Sequence, residues 1–300
     1  MSQSTGPKNY SAAKFRSMSS SVSIFEVGPR DGLQNQSKPV ATELKVDLVN
    51  RLAASGLRKI EVTSFVSPRW VPQLSDAGEL MDKIDRRFGV TYAALVPNQV
   101  GLDAAIEHQA DEIALFTAAS DAFNLKNTNA SIEESLKRFE PMIEVARAHR
   151  IAVRGYVSTI VDCPYSGLIE PQRVLDVAQR LLDMGCYEIS LGDTLGNAIP
   201  GQTDALLNCL LQQISPQKLA GHFHDTSGRA LENISTCLEF GLRSFDASVG
   251  GLGGCPYAPG AQGNVATESM VRHLHELGYE TGVDLDRLEL AIQLATSLKA

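Results

Sequence analysis

AVRGYVSTIVDCPYSGLIEPQRVLDVAQRLLDMGCYEISL, residues 152–191, holds in one stretch the alternation that decides the fold. It opens on an apolar, β-branched run, Ala152–Val157, and closes on a second, Glu188–Leu191. Between them Pro171 is placed to open a helix, Val174, Ala178, Leu181 and Leu182 recur on its core side, and Gly185 is placed to close it. Strand, helix, strand is the unit that joins parallel neighbours, since a parallel strand is reached only by a crossover. Working outward, similar runs recur at Val22–Val27, Lys59–Phe65, Thr91–Val96, Glu112–Thr117, Leu219–His224 and Ser244–Val249. Helical patterns lie between them. Leu44, Leu48, Val49 and Leu52 share helical spacing before Gly56, and Ser131 with Glu134 forms a capping box ahead of Ile132, Leu136, Phe139 and Ile143.

Eight strands alternating with helices predict an α/β fold, a (β/α)8 TIM barrel with a C-terminal helical extension over Leu285–Leu298. The competing doubly wound sheet would carry G-x-G-x-x-G after its first strand, whereas the turn here is Gly28-Pro-Arg-Asp-Gly32. No Ser- or Pro-rich linker interrupts residues 22–298, so 22–300 is expected to be one catalytic barrel domain that includes the C-terminal helix. Residues 1–21 are rich in serine and hold Lys8, Lys14 and Arg16 but no acid. They are expected to be a disordered extension, with a transit peptide as the alternative. A cytoplasmic protein is expected on the first reading and a mitochondrial-matrix protein on the second.

Composition narrows the chemistry. The 300 residues are 43% hydrophobic with a net charge of −8, which supplies a core but no basic field for nucleic acid. No apolar run has the roughly 20 residues that span a bilayer. Neither nucleic acid nor membrane is therefore an expected partner. The cysteines Cys163, Cys186, Cys209, Cys237 and Cys255 form no Cys-x-x-Cys pair, which points to a reducing compartment rather than a disulfide framework.

A TIM barrel gathers its chemistry at the C-terminal ends of its strands, so the polar residues there are the candidates. They are Arg30 and Asp31 after the first strand, Glu61, Thr63 and Ser64 on and after the second, and Tyr156 and Ser158 near the fifth. Ser190 and Asp193 end the sixth, His222, His224 and Asp225 the seventh, and the eighth runs into the glycine-rich stretch that carries Cys255 and Asn264. Two residues apart on a strand, His222 and His224 face the same way and can reach one cation. Asp31 can add a carboxylate and Asn264 an amide oxygen. Such a nitrogen and oxygen set suits Mg²⁺ or Mn²⁺, with Zn²⁺ or Co²⁺ as alternatives. Gly250–Asn264 reads as a mobile loop, in which Cys255 is either a reactive thiol or an inert cysteine beside Pro256.

The runs EVGPRDGLQNQ (26–36), IEVTSFVSPRWVPQLSDA (60–77), NASIEES (129–135), VRGYVS (153–158), GCYEISLGDT (185–194), HFHDT (222–226) and GGLGGCPYAPGAQGN (250–264) resemble the 3-hydroxy-3-methylglutaryl-CoA lyase family. The resemblance covers nearly all of the chain after residue 22. It implies a divalent-metal-dependent lyase that cleaves 3-hydroxy-3-methylglutaryl-CoA to acetyl-CoA and acetoacetate, a step of leucine degradation. It further implies Asp31, His222, His224 and Asn264 as metal ligands and Cys255, Arg30, Asp31 and His222 as catalytic groups. Arg30, Glu61, Ser64, Tyr156, Ser190 and Asp193 would line the substrate pocket. The partner implied is an acyl-CoA, and a homodimer is left open. Departures from the family's usual runs occur at Thr159 and Asp162, at Leu195, Asn197 and Ala198, and at Ser227 and Arg229. These leave two alternatives: the same cleavage of a related branched 3-hydroxyacyl-CoA, or condensation of acetyl-CoA with a 2-oxo acid.

Overall fold

The computed structural model describes residues 20–255 and 258–299, with side chains described outside 254–262. Its strands are β1 (Ser23–Glu26), β2 (Lys59–Ser64), β3 (Thr91–Leu95), β4 (Glu112–Ala118), β5 (Ala152–Ser158), a hairpin of β6 (Asp162–Cys163) and β7 (Gly167–Leu168), β8 (Glu188–Asp193), β9 (Leu219–Phe223), β10 (Ser244–Ala247), β11 (Gly254–Cys255) and β12 (Ala258–Gln262). The helices are α1 (Thr42–Ala54), α2 (Ala77–Lys83), α3 (Gln99–Glu107), α4 (Asp121–Thr128), α5 (Ile132–Ala148), α6 (Pro171–Met184), α7 (Pro200–Leu210), α8 (Ala230–Glu239), α9 (Thr267–Glu276) and α10 (Leu285–Ser297). Eight strands close a barrel in the order β1-β10-β9-β8-β5-β4-β3-β2, every pairing parallel. The expected TIM barrel and its C-terminal helix are both present. None of the described helices is long and apolar enough to cross a membrane.

The stretch 152–191 becomes β5, the β6–β7 hairpin, α6 and β8. Helix α6 buries Val174, Leu175, Val177, Ala178 and Leu181. Each large aliphatic side chain so buried contributes roughly 1.5–3 kcal/mol relative to exposure. Gly185 ends the helix at φ 122°, a conformation that side-chain-bearing residues rarely adopt. Ser131 and Glu134 form the expected capping box on α5. Strand β8 runs two residues beyond the expected end, to Asp193, and β10 stops two residues short of Val249, where the chain enters a 3₁₀ turn.

At the start of the described chain, Ser21 bridges to Glu280, and Glu280 N–H donates to the Ser20 carbonyl at 2.8 Å. Residues 1–19, most of the expected extension, lie outside the described residues. The glycine run 250–264, read from sequence as a loop, contains an antiparallel hairpin of β11 and β12. Gly250, Gly251 and Gly253 lead into it with φ of 63°, 59° and 107°, which the missing Cβ permits.

The lumen beneath the barrel mouth is filled by a buried charge cluster. Arg154 is fully buried and donates to Glu188 at 2.8 Å and to Asp246 at 2.7 and 3.1 Å. Its guanidinium lies 4.4 Å from the Phe25 ring centroid and 5.1 Å from that of Tyr156. A buried charge needs partners of this kind, because desolvation without them is very costly. The cluster forms the floor of the site.

Candidate active site

After β1 the chain makes a single π-helical turn, Gly28–Gly32, that carries Arg30 and Asp31. Such turns often occur at functional sites. A Cβ at Gly32 would stand 2.6 Å from the Leu252 Cβ, so the turn packs directly against the chain leaving β10. Across the mouth, β9 delivers His222, and His224 follows just past the strand end in an isolated bridge to Asn264. Register places His222 level with Gly192 of β8 and Asp246 of β10.

One ligand atom from each of Asp31, His222 and His224 lies within 4.8 Å of the others. His222 Nδ1 is 3.0 Å from Asp246 Oδ2, which turns the opposite ring nitrogen toward the cluster. His224 Nδ1 is buried and has no hydrogen-bond partner among the described residues. A buried nitrogen without a partner, beside a carboxylate and a second imidazole, fits a cation site. Asn264 joins the group through its amide nitrogen, which donates to Asp31 Oδ2 at 2.7 Å. Acting as an oxygen ligand requires that amide to turn about its last side-chain bond.

The electrostatics suit the same purpose. Burial pushes the Asp31 carboxyl up, but the Arg30 guanidinium and both imidazoles outweigh it and hold the group at about 2. Burial, with the charge of His222, lowers His224 to about 4, so it is neutral near pH 7, the form that binds metal. For His222 burial acts downward too, yet the hydrogen bond and charge of Asp246 raise it above its ordinary value.

Arg30 is held on two sides. Its Nε donates to Glu61 Oε2 at 2.6 Å, its Nη1 to Asp31 Oδ1 at 2.7 Å, and its guanidinium lies 5.7 Å from the Tyr156 ring centroid. Nη2 makes no hydrogen bond among the described residues. Glu61 Oε1, Ser64 Oγ and Tyr156 Oη, on residues anticipated to line the pocket, are buried without partners among the described residues, as is Thr63 Oγ1. Buried polar atoms are rarely left unpaired, and four of them on β2 and β5 mark where a polar ligand would complete the bonding.

Ser190 and Asp193 behave differently. Ser190 Oγ donates to Asp246 at 2.7 Å, and Asp193 accepts from the Asn197 and Ala198 amides at 3.3 and 3.0 Å. Burial still pushes Asp193 up to about 6 against those N–H bonds. Both expected pocket residues therefore sit beside the site with polar atoms already engaged by protein. Cys255 has its backbone in β11, and its thiol lies outside the described residues. The residue that sequence reading missed is Asp246, which accepts from Arg154, Ser190 and His222 at once. Its signal was a lone acid inside the apolar run Ser244–Val249, and a lone base, Arg154, inside Ala152–Val157.

The HMGL-like family model matches residues 21–294. The chain belongs to the HMGL-like family. The hydroxymethylglutaryl-CoA lyase of Pseudomonas mevalonii is 50% identical over 278 residues, 92% of each chain. The 3-hydroxy-3-isohexenylglutaryl-CoA/hydroxy-methylglutaryl-CoA lyase of Pseudomonas aeruginosa is 51% identical over 267 residues, 89% of each. Among solved structures, the HMG-CoA lyase of Brucella melitensis superposes with a TM-score of 0.92 at 52% identity, covering 93% of this chain and 98% of that one. In this HMGL-like chain the turns after β8 and β9 meet at the mouth. Ser227 Oγ donates to Asn197 Oδ1 at 3.2 Å, and Ser227 N–H donates to the Gly196 carbonyl at 3.2 Å.

Proposed function

We propose that this protein is a divalent-metal-dependent carbon–carbon lyase that cleaves 3-hydroxy-3-methylglutaryl-CoA to acetyl-CoA and acetoacetate. The observation that carries this reading is the convergence of Asp31, His222 and His224 beside Arg30, in a chain about half identical to named lyases over nearly its whole length. A cation held by Asp31, His222, His224 and Asn264, Mg²⁺ or Mn²⁺ on the nitrogen and oxygen donors, would acidify and orient the substrate's tertiary hydroxyl.

Asp31 or His222 takes the hydroxyl proton in this reading, with Asp246 steadying the His222 ring. As the bond between carbons 2 and 3 breaks, its electron pair leaves with the thioester fragment as an enolate. Arg30, pinned by Glu61 and Asp31, supplies a fixed positive charge for the enolate oxygen, which exists only as the bond breaks. Cys255 then gives its proton to the enolate carbon, and the thiolate recovers one on turnover. The oxygens of Ser64 and Tyr156, without partners among the described residues, are suited to hold the acyl chain.

Residues 22–300 act as one catalytic domain in this reading. The described cysteines Cys163, Cys186, Cys209 and Cys237 are free thiols, which supports a reducing compartment such as the cytoplasm. The test is acetyl-CoA release from 3-hydroxy-3-methylglutaryl-CoA by purified protein with Mg²⁺ or Mn²⁺. No release with either ion overturns the proposal. A longer branched 3-hydroxyacyl-CoA belongs in the same panel, because the Pseudomonas aeruginosa relative's name includes an isohexenyl substrate.

A further inference from the structure

We propose that Glu26 is a positioning residue for this site, its carboxylate tying the Arg30–Asp31 turn to both stems of the segment that carries Cys255 and Asn264. Glu26 ends β1 and is 0% exposed. It neighbours Phe25, whose ring faces Arg154 in the lumen, and alternation along the strand sends the Glu26 side chain to the outer face. The carboxylate is therefore out of reach of substrate, and any effect on catalysis acts through other residues.

What it touches is specific. Oε1 accepts the Gly28 N–H at 2.8 Å and the Val249 N–H at 2.9 Å, and Oε2 accepts the Thr267 hydroxyl at 2.6 Å. Gly28 opens the turn that presents Arg30 and Asp31. Val249 opens the 3₁₀ turn that leads into the glycine run, and Thr267 opens α9 three residues after Asn264. One buried carboxylate thus joins three pieces of chain, two of them 223 and 241 residues away in sequence. Burying a carboxylate is costly, and burial does push this one up to about 7 against the pull of its Thr267, Val249 and Gly28 bonds. An apolar residue would fill the same space more cheaply but could not hold the three donors together.

The consequence reaches the site through close packing. A Cβ at Gly28 would stand 2.6 Å from Glu26 Oε1, and one at Gly32 would stand 2.6 Å from the Leu252 Cβ and 2.9 Å from Ser248 Oγ. Turn and stem are therefore in contact along their length, and the Asn264–Asp31 bond at 2.7 Å forms between these same two segments. Releasing the clamp lets Asn264 and the Cys255 hairpin drift relative to Asp31.

The inference rests on the proposed lyase reading, and its test separates the two. Thr267→Val removes one arm of the clamp without touching a catalytic group. It is expected to lower kcat and weaken Mn²⁺ binding, read by electron paramagnetic resonance, each by roughly 10-fold, the scale of a lost supporting contact around a metal site. KM should stay within about twofold, because substrate-lining groups are untouched. Glu26→Gln keeps an oxygen for both amides and can donate to the Thr267 oxygen, so it should retain most activity, whereas Glu26→Ala should match or exceed the loss in Thr267→Val. Wild-type kcat and Mn²⁺ affinity in folded Thr267→Val, with only a lowered Tm, overturn the inference and leave Glu26 a stabilising residue. Failure of the wild-type protein to cleave 3-hydroxy-3-methylglutaryl-CoA overturns the lyase reading, while the Mn²⁺ measurement still decides the clamp.

Discussion

Replacing Asp246 by Asn tests whether the charge cluster under the mouth governs the proposed metal site. Asp246 Oδ1 accepts from Arg154 Nη2, and Oδ2 accepts from Arg154 Nη1, Ser190 Oγ and His222 Nδ1. An amide has one oxygen, so either orientation turns an NH₂ group against donors and leaves the Arg154 charge half compensated. Removing one partner of a buried ion pair costs about 3–5 kcal/mol. Arg154 keeps its 2.8 Å bond to Glu188, which places the loss at the lower end, about 3 kcal/mol. At about 2 °C per kcal/mol for a chain of this size, Tm should fall by about 6 °C, leaving the protein folded at room temperature. The functional effect is separate: a neutral amide oxygen in place of the carboxylate holds the His222 Nδ1 proton less strongly, so the tautomer and ring angle of His222 are less firmly fixed. Metal affinity should drop about 10- to 100-fold. The assay combines thermal unfolding, Mn²⁺ titration and acetyl-CoA release at saturating metal. Wild-type Mn²⁺ affinity together with the expected fall in Tm would refute the assignment of Asp246 as the group that orients His222.

Arg30→Gln should depress kcat by at least about 100-fold with KM little changed, the scale of one lost electrostatic stabiliser; a raised KM with normal kcat would make Arg30 a binding residue instead. Cys255→Ala should nearly abolish acetyl-CoA release while Mn²⁺ binding persists, and near-normal turnover would remove the thiol from the mechanism. For Glu26, burial raises the folded-state value from 4.5 to about 7, so folding holds the proton more tightly than the unfolded chain does. That contribution favours the folded state most below pH 4.5 and is lost as pH rises through 7. Thermal unfolding of Glu26→Gln against wild type should therefore shift in the variant's favour between pH 4.5 and 7 and level off above, and a pH-independent difference would contradict it.

The sequence by itself determined the barrel, because the signals that make it are local. Strand and helix periods, Pro171 and Gly185 around α6, and the Ser131–Glu134 box act within a few residues, so each survives into the structure without help from distant chain. Spacing alone also paired His222 with His224, and the order of strands then brought Asp31 to them. The glycine run was legible as special but misread as a loop, since the β11–β12 pairing depends on backbone hydrogen bonds that glycine-rich composition does not reveal. Only the tertiary structure decided which buried charges serve which groups. The acceptors for His222, Arg154 and the Val249 amide lie 24, 92 and 223 residues from their donors, and a carboxylate in an apolar strand carries no mark of the donor it will meet. The same holds for Ser190 and Asp193. Their positions at the mouth followed from strand order, but their hydroxyl and carboxylate turn to Asp246 and to the turn amides because burial makes an unpaired polar atom costly and the nearest partner wins.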